Sequence, residues 1–235
     1  MLVIAVFLPL LGAFIAGFFG RMIGDRPSQI VTCLGVGLAA LASIPAFMDV
    51  ALAGNTQTIV IATWLASGTF DAQWALRYDT LSAVMVMTVT SVSTLIHIYS
   101  VGYMSHDDSK PRFMAYLSLF TFAMLMLVTA DNLIQLFFGW EGVGVVSYLL
   151  IGFWFKKPAA NAAAIKAFVV NRVGDFGFLL GIFAIYFLFD SVTFDVIFDA
   201  AANHADTEVT FFGLHVHALT ITCLLLFVGA MGKSA

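Results

Sequence analysis

The chain has 235 residues, of which 61% are hydrophobic and only 10% are charged, and it carries a net charge of −4 at pH 7. Soluble domains carry about 25% charged residues, so this composition excludes a soluble globule and predicts an all-α polytopic membrane protein with the lipid bilayer as its solvent. The small net charge gives no indication of a nucleic-acid partner or an acidic substrate.

Seven apolar runs come near the length of about 20 residues that a membrane-spanning helix requires. They cover residues 2–20, 30–53, 80–104, 113–130, 133–155, 168–189 and 216 onward. The sequence therefore predicts six complete transmembrane helices and a truncated seventh helix that meets the end of the chain.

Lysine and arginine are distributed unevenly between the two sides of these predicted spans. Of the ten such residues, Arg77 alone falls on the side of the N-terminus, and Lys233 lies within the last span. The others follow spans one, three and five: Arg21, Arg26, Lys110, Arg112, Lys156, Lys157, Lys166 and Arg172. Because these residues accumulate on the cytoplasmic side of membrane proteins, we predict that the N-terminus lies outside.

Two segments on the predicted outer side are longer than a connecting loop requires. Residues 58–78 place β-branched and aromatic side chains on both sides of Ser67 and Gly68, which predicts a β-hairpin that turns there. An irregular loop is the alternative. Residues 193–203 have helical spacing and predict a short helix along the membrane or a partner. Its predicted apolar face consists of Phe194, Ile197, Phe198 and Ala201.

Glu141 is the only charged residue in the apolar run 133–155. It lies three residues from the middle of that run at Gly144, or about 4–5 Å along a helix axis. A carboxylate at this depth costs about 2.5–3.5 kcal/mol or more and usually has a function. Gly139, Gly142 and Gly144 would let a neighbouring helix approach closely. The alternative is a neutral, hydrogen-bonded Glu141 that only joins helices.

Arg172 and Asp175 stand three residues apart and so share one face of the sixth predicted helix. We place them toward the cytoplasmic end of that helix, where they can pair with each other. Such a pair is either structural or takes part in proton uptake and in tuning a buried base.

Lys233 follows the apolar stretch of the last predicted helix. In a straight helix it would lie about 21 Å deep, and Gly229 and Gly232 are expected to loosen the helix around it. A lysine at this depth is suited to carry a proton through the membrane. The alternative is a lysine whose side chain extends to the cytoplasmic surface.

Several further residues have a weaker signal. His97 lies in the third predicted span and is either a proton relay or a hydrogen-bonded packing residue. Cys33 and Cys223 lie in apolar runs and are interpreted as small buried hydrophobic residues. His215 and His217 would point apart on a helix, so we predict no metal site. No motif for a flavin, an iron–sulfur cluster or a haem is visible, so we expect no cofactor in this chain.

Several stretches of sequence carry a family resemblance that covers essentially the whole chain. They are FFGWEGVGVVSYLLIGFWFKKPAANAAAIKAFVVNRVGDFGFLLGIF, WALRYDTLSAVMVMTVTSVSTLIHIYSVGYM, LLLFVGAMGKSA and the opening FLPLLGAFIAGFFGR. They resemble the antiporter-like chain L subunit of bacterial proton-translocating NADH:quinone oxidoreductase, respiratory complex I, whose mitochondrial homologue is subunit 5. The large subunit of multisubunit cation/proton antiporters is related, but EGVG followed by SYLLIGFWFKKP is more similar to the complex I subunit.

The resemblance implies roles for the charged residues at membrane depth. The acid of GWEG and the lysine of GKSA, which are Glu141 and Lys233, would form the central buried pair of a proton half-channel. The Arg and Asp of NRVGD, which are Arg172 and Asp175, would modulate that pair. The family also has an outer β-hairpin and a seventh helix that is broken near the lysine.

The resemblance also implies the partners and the location of the chain. NADH, FMN, iron–sulfur clusters and quinone would be bound by other subunits, and the partners would be other membrane subunits of complex I, the bilayer and protons. A bacterial inner membrane is favoured over a mitochondrial inner membrane.

Because the family subunit is far longer, we interpret the sequence as its N-terminal part. Residues 1–53 would then form the first two helices, residues 54–78 the external hairpin segment, and residues 79–235 the first half of the proton-channel domain. A subunit of a multisubunit cation/proton antiporter and a truncated, non-catalytic membrane module are the alternatives.

Overall fold

A computed structural model of the chain describes residues 2–68, 70–211 and 213–234. Within these residues, eight α-helices are joined by two β-hairpins and short connections. The helices are α1 (Leu2–Ile23), α2 (Asp25–Phe47, continued by the π-helical turn Met48–Leu52), α3 (Thr80–Tyr103), α4 (Lys110–Val128), α5 (Leu133–Ile151), α6 (Pro158–Phe189), α7 (Phe194–Ala200, followed by the 3-10 turn Ala201–His204) and α8 (Ala218–Ser234). The strands are β1 (Gln57–Ser67), β2 (Phe70–Tyr78), β3 (Glu208–Phe211) and β4 (Leu214–His217).

Six of these helices are long and apolar enough to cross a membrane, and they correspond to the six predicted spans. The chain is therefore a mostly helical, multi-pass membrane protein, as its composition predicts. Helix α8 has 17 residues and is shorter than these six helices.

Helix α6 begins ten residues before the predicted start at residue 168. Pro158 occupies the first turn, where it removes no hydrogen bond, and the alanine-rich stretch after it favours a helix. The 32 residues of α6 span about 48 Å, more than the hydrocarbon core of about 30 Å. The predicted position of Arg172 and Asp175 near one end was therefore wrong, because both lie close to the middle of α6.

The predicted outer hairpin is confirmed, with β1 and β2 antiparallel and Ser67 paired with Phe70. Gly68 has a φ of +61°, a left-handed value that glycine adopts without strain. Strand β1 is largely exposed, whereas β2 contributes buried residues such as Ala75 and Leu76 to the protein interior. The hairpin is therefore anchored through its second strand.

Polar side chains attach β2 to the connection between α4 and α5. Asn132 caps α5 by accepting a hydrogen bond from Gln135 N at 2.9 Å, and its amide nitrogen donates to the Gln73 carbonyl at 2.7 Å. The side-chain oxygen of Gln135 accepts from Ala75 N at 3.0 Å. The N-terminus of α5, and with it the position of Glu141 along the bilayer, is thereby fixed to the hairpin.

A second hairpin, β3–β4, was not predicted. His215 and His217 lie in β4 and not on a helix, so the expectation that they point apart was wrong, because alternate strand residues share one face. Among the described residues, no group of three His, Cys, Asp or Glu side chains is arranged to hold a metal ion.

The predicted surface helix forms as α7. Ile197 is buried, whereas Phe198 is 65% exposed, so only part of the expected apolar face packs on the protein. Asp195 in the first turn of α7 forms an ion pair with Arg77 at 2.5 Å, which joins α7 to the outer hairpin.

Helix α8 is continuous through Gly229 and Gly232, so within residues 218–234 the expected break near Lys233 is absent. Both glycines instead permit close packing on α6. A methyl group added to Gly232 would lie 2.8 Å from Gly174 Cα, and one added to Gly229 would lie 2.6 Å from Phe178 Cβ. These contacts bring Lys233 against the middle of α6 and α5. Cys223 on this helix is exposed, contrary to the expectation that it is buried.

Candidate functional site

Glu141 and Arg172 form an ion pair between the middle of α5 and the middle of α6. Arg172 Nη1 donates to Glu141 Oε1 at 2.7 Å, and the side chains are 51% and 23% exposed, respectively. Glu141 lies about 12 Å from the first residue of α5 and Arg172 about 21 Å from that of α6. The expected pairing of Arg172 with Asp175 was therefore wrong, since Arg172 reaches across to the neighbouring helix.

Asp175 is buried, with only 4% of its surface exposed. Its Oδ1 accepts a hydrogen bond from Trp140 Nε1 at 2.7 Å. Within the described residues, no cation lies within 4 Å of its carboxylate. The hydrogen bond from Trp140 therefore matters, because a buried carboxyl group without any hydrogen-bond partner would cost several kcal/mol.

Lys233 Nζ donates a hydrogen bond to the backbone carbonyl of Trp140 at 2.5 Å and lies 5.1 Å from the centre of the Trp140 ring. It makes no ion pair within 4 Å among the residues that the structure describes. The structure therefore does not contain a direct, buried Glu141–Lys233 salt bridge. The charges of Glu141, Arg172, Asp175 and Lys233 nevertheless lie within electrostatic range of one another.

Trp140 is the functional residue that sequence reasoning missed. Its ring N–H binds Asp175, its carbonyl binds Lys233, and its ring stacks on Phe178 with centroids 4.9 Å apart and planes at 9°. One signal was available, because a tryptophan in mid-membrane needs an acceptor for its N–H. The sequence could not show which acid provides that acceptor.

The glycines around Glu141 have separate structural roles. A methyl group on Gly139 would lie 2.5 Å from Leu127 N, so this glycine allows α4 and α5 to touch. A methyl group on Gly144 would lie 2.8 Å from Lys233 Nζ, so Gly144 leaves space for the ammonium group. The expectation that small residues here permit close approach is confirmed.

His97 lies on α3 and is completely buried. Its Nδ1 lies 2.8 Å from the Ser93 carbonyl, which can only accept, so Nδ1 carries a proton. Its Nε2 lies 2.9 Å from Ser118 Oγ on α4, and Ser93 Oγ lies 2.5 Å from Thr121 Oγ1. His97 thus belongs to a polar chain between α3 and α4. In the described part of the protein, it makes no hydrogen bond to the four charged residues around Trp140.

Comparison with known proteins places this site in a family. The profile described as "NADH:quinone oxidoreductase/Mrp antiporter, TM" matches residues 130–235, which contain all four charged residues of the site. The profile described as "NADH-Ubiquinone oxidoreductase (complex I), chain 5 N-terminus" matches residues 64–114. The chain is 54% identical over 242 aligned residues to NADH-quinone oxidoreductase subunit L of Rhodobacter capsulatus, with 100% of this chain covered.

The chain belongs to the family of antiporter-like complex I membrane subunits. Another relative in this family is NADH-ubiquinone oxidoreductase chain 5 of Triticum aestivum, 52% identical over 235 residues and 100% of this chain. The chain spans only 34% and 35% of the length of these two relatives.

The fold of this family member is shared with a solved antiporter complex. The Mrp complex from Dietzia sp. DQ12-45-1b superposes with a TM-score of 0.82 at 20% identity, covering 100% of this chain and 24% of that chain. At this identity the likeness concerns the fold alone.

Proposed function

We propose that the chain is the N-terminal part of a proton-translocating membrane subunit of NADH:quinone oxidoreductase. One observation carries the proposal: Asp175 and Lys233 both bind Trp140 of α5, and the next residue, Glu141, pairs with Arg172 of α6. Four charged residues of three apolar helices are thereby gathered near the middle of α5 and α6. Charged groups at such depth are costly and typically belong to ion or proton pathways. The close relatives named as subunits of this oxidoreductase support the same assignment.

Glu141 acts in this proposal by changing its partner. Arg172 carries a guanidinium group with five N–H donors, so it serves as a fixed positive charge that competes for the Glu141 carboxylate. While Arg172 holds Glu141, Lys233 contacts the neutral carbonyl and ring of Trp140 and no carboxylate within 4 Å among the described residues. When Glu141 turns to Lys233, its charge stabilises the ammonium, and its return to Arg172 favours release of the proton.

Asp175 and His97 have supporting roles in the proposal. Asp175, anchored by Trp140, modulates the field at Lys233 from the α6 side. His97 provides a relay in the separate polar chain between α3 and α4. Quinone reduction takes place in other subunits, which bind NADH, FMN, iron–sulfur clusters and quinone. The partners of this chain are the other membrane subunits of complex I, the lipid bilayer and protons. Protons are taken up on the side rich in lysine and arginine and released on the hairpin side.

The variant Glu141→Gln tests the proposal in the intact membrane complex. It keeps the size of the side chain but cannot carry the negative charge, so we expect proton translocation per NADH oxidised to fall about tenfold or more, the factor that corresponds to about 1.4 kcal/mol. Glu208→Gln, the same change at an exposed position of β3, is the matched control and should leave translocation unchanged. Unchanged pumping by Glu141→Gln would refute the role.

A second candidate function is a cation/proton antiporter subunit. It is favoured by the family profile that includes Mrp antiporters, which matches residues 130–235. Vesicles that contain the protein but lack NADH oxidation distinguish the two functions. Proton flux driven by a sodium gradient, and abolished by Glu141→Gln, would favour the antiporter.

A further inference from the structure

A cavity of about 430 Å³ opens where the lysine- and arginine-rich ends of α4, α5 and α6 meet. It is lined by one cation, Arg112, together with the polar side chains of Tyr116, Tyr148 and Asn161. Leu149 and Ile165 form part of its apolar wall. The cavity therefore combines a charged rim with an apolar interior.

Arg112 is incompletely satisfied at this rim. Its Nη2 donates to the Phe153 carbonyl at 3.0 Å, and its guanidinium group lies 4.4 Å from the centre of the Phe153 ring and 5.1 Å from that of Phe155. Its Nε is buried without a hydrogen-bond partner, and in the described residues no carboxylate lies within 4 Å of it. A cationic donor without an acceptor is costly, so an anionic oxygen at this rim would stabilise Arg112.

Two acids precede α4. Asp108, the nearer of them to Arg112 in sequence, makes no ion pair within 4 Å among the described residues, and Asp107 is engaged elsewhere. Asp107 accepts from Trp154 Nε1 at 3.0 Å and from Ser109 N at 2.7 Å. Lys156 and Lys157 are exposed immediately before α6, and no side chain caps the N-terminus of this 32-residue helix. Both features add positive potential beside the cavity.

An apolar surface continues from the cavity toward the middle of the membrane. Ile165 is 57% exposed and Val169, one turn further along α6, is 53% exposed. On the side of α5, Tyr148 packs edge-on against Phe168 of α6 with centroids 5.7 Å apart. Aromatic residues are typical of the membrane interface, where lipid headgroups give way to acyl chains.

We propose that this cavity binds a phospholipid with an anionic headgroup, whose phosphate oxygens accept from the Arg112 guanidinium group and whose acyl chain lies along Ile165 and Val169. Basic pockets between transmembrane helices bind such headgroups in other membrane proteins. The inference is independent of the proton-transfer role proposed above, because none of its residues belongs to the site around Trp140.

Native mass spectrometry of the full chain in an uncharged detergent tests the proposal with three probes: phosphatidylglycerol, phosphatidylcholine and inorganic phosphate. We expect phosphatidylglycerol to bind at least tenfold more tightly than phosphatidylcholine, and Arg112→Gln to weaken its binding about tenfold. Arg26→Gln removes the same charge on the same side, outside the cavity, and should change the affinity less than twofold.

Ile165→Trp provides a second variant, because Arg112→Gln also removes the bond to Phe153 and affects folding. It narrows the cavity without removing a polar group, so it should weaken phosphatidylglycerol binding at unchanged helix content. Equal binding of the two lipids, or wild-type affinity in both variants, would overturn the proposal. Displacement of the lipid by millimolar inorganic phosphate would also overturn it, since the site would then bind free phosphate.

Discussion

Trp140 Nε1 donates a hydrogen bond to Asp175 Oδ1 at 2.7 Å and thereby links α5 to α6 one residue before Glu141. The same residue binds Lys233 of α8 through its carbonyl. Trp140 therefore holds Asp175 of α6 and Lys233 of α8 close to Glu141 of α5. No two of these three charged residues form an ion pair with each other. Trp140 is thus a positioning residue for the proposed proton switch.

Trp140→Phe isolates the contribution of the ring N–H. Phenylalanine keeps the stacking on Phe178 and the backbone carbonyl that binds Lys233, but it leaves Asp175 without its donor. Removal of such a bond from a buried group costs about 1–3 kcal/mol. In the intact complex we expect proton translocation to fall about 5- to 150-fold, as that range implies.

Trp64→Phe is the control for this variant. Trp64 lies in the outer hairpin and packs edge-on against Trp74 and Phe138, away from the charged residues. The Trp64→Phe variant should leave proton translocation unchanged and alter only the thermal stability of the protein. If both tryptophan variants pump like the wild type, Trp140 does not position the site.

The transmembrane helices could be predicted from the sequence because apolar length alone decides them in a bilayer. The start of α6 could not be predicted in this way, because Pro158 and the alanines after it extend the helix well beyond the apolar stretch. The partner of Arg172 also could not be predicted from the sequence. An i, i+3 spacing shows which residues share a helix face, but it does not show which side chains the neighbouring helix places opposite that face. Asp175 turned out to bind Trp140, a donor that charge patterns do not reveal.

Gly144→Ala is expected to affect function more than stability. The added methyl group would lie 2.8 Å from Lys233 Nζ, which is the flexible end of a side chain and can move aside. Alanine also favours a helix over glycine by about 1 kcal/mol. We expect thermal unfolding near that of the wild type, together with reduced translocation because Lys233 loses its bond to the Trp140 carbonyl. Wild-type translocation would show that the position of the ammonium group is not critical.

Gly139→Ala is expected to have the opposite outcome. Its methyl group would lie 2.5 Å from Leu127 N and 2.6 Å from Leu127 Cα, so the backbones of α4 and α5 must move apart. Overpacking of this kind costs about 1–3 kcal/mol. Unfolding in detergent mixtures should show this loss, whereas Gly37→Ala, with its nearest contact at 3.8 Å, should be neutral or stabilising.

Asp79 connects the outer hairpin to α3 and gives a pH-dependent prediction. Its Oδ1 caps α3 by accepting from Ser82 N at 2.9 Å, and its Oδ2 pairs with Arg77 Nε at 3.1 Å. Burial alone would raise the pKa of Asp79, but the Ser82 N–H and the Arg77 charge outweigh it and hold the pKa below its ordinary value.

A depressed pKa in the folded state means that the stabilisation is present above the unfolded value of about 3.9 and is lost as the pH falls through the folded value. Asp79→Asn keeps an acceptor for the cap but removes the charge. We therefore expect the wild type to be more stable than this variant at pH 7, with the difference shrinking as the pH falls below about 4 and vanishing only below the folded pKa. Asp79→Ala also removes the cap and should cost about 1 kcal/mol more at every pH. Unfolding of the three proteins between pH 3 and pH 7 measures both effects, and a wild-type advantage over Asp79→Asn that is as large at pH 3 as at pH 7 would contradict the role of the charge.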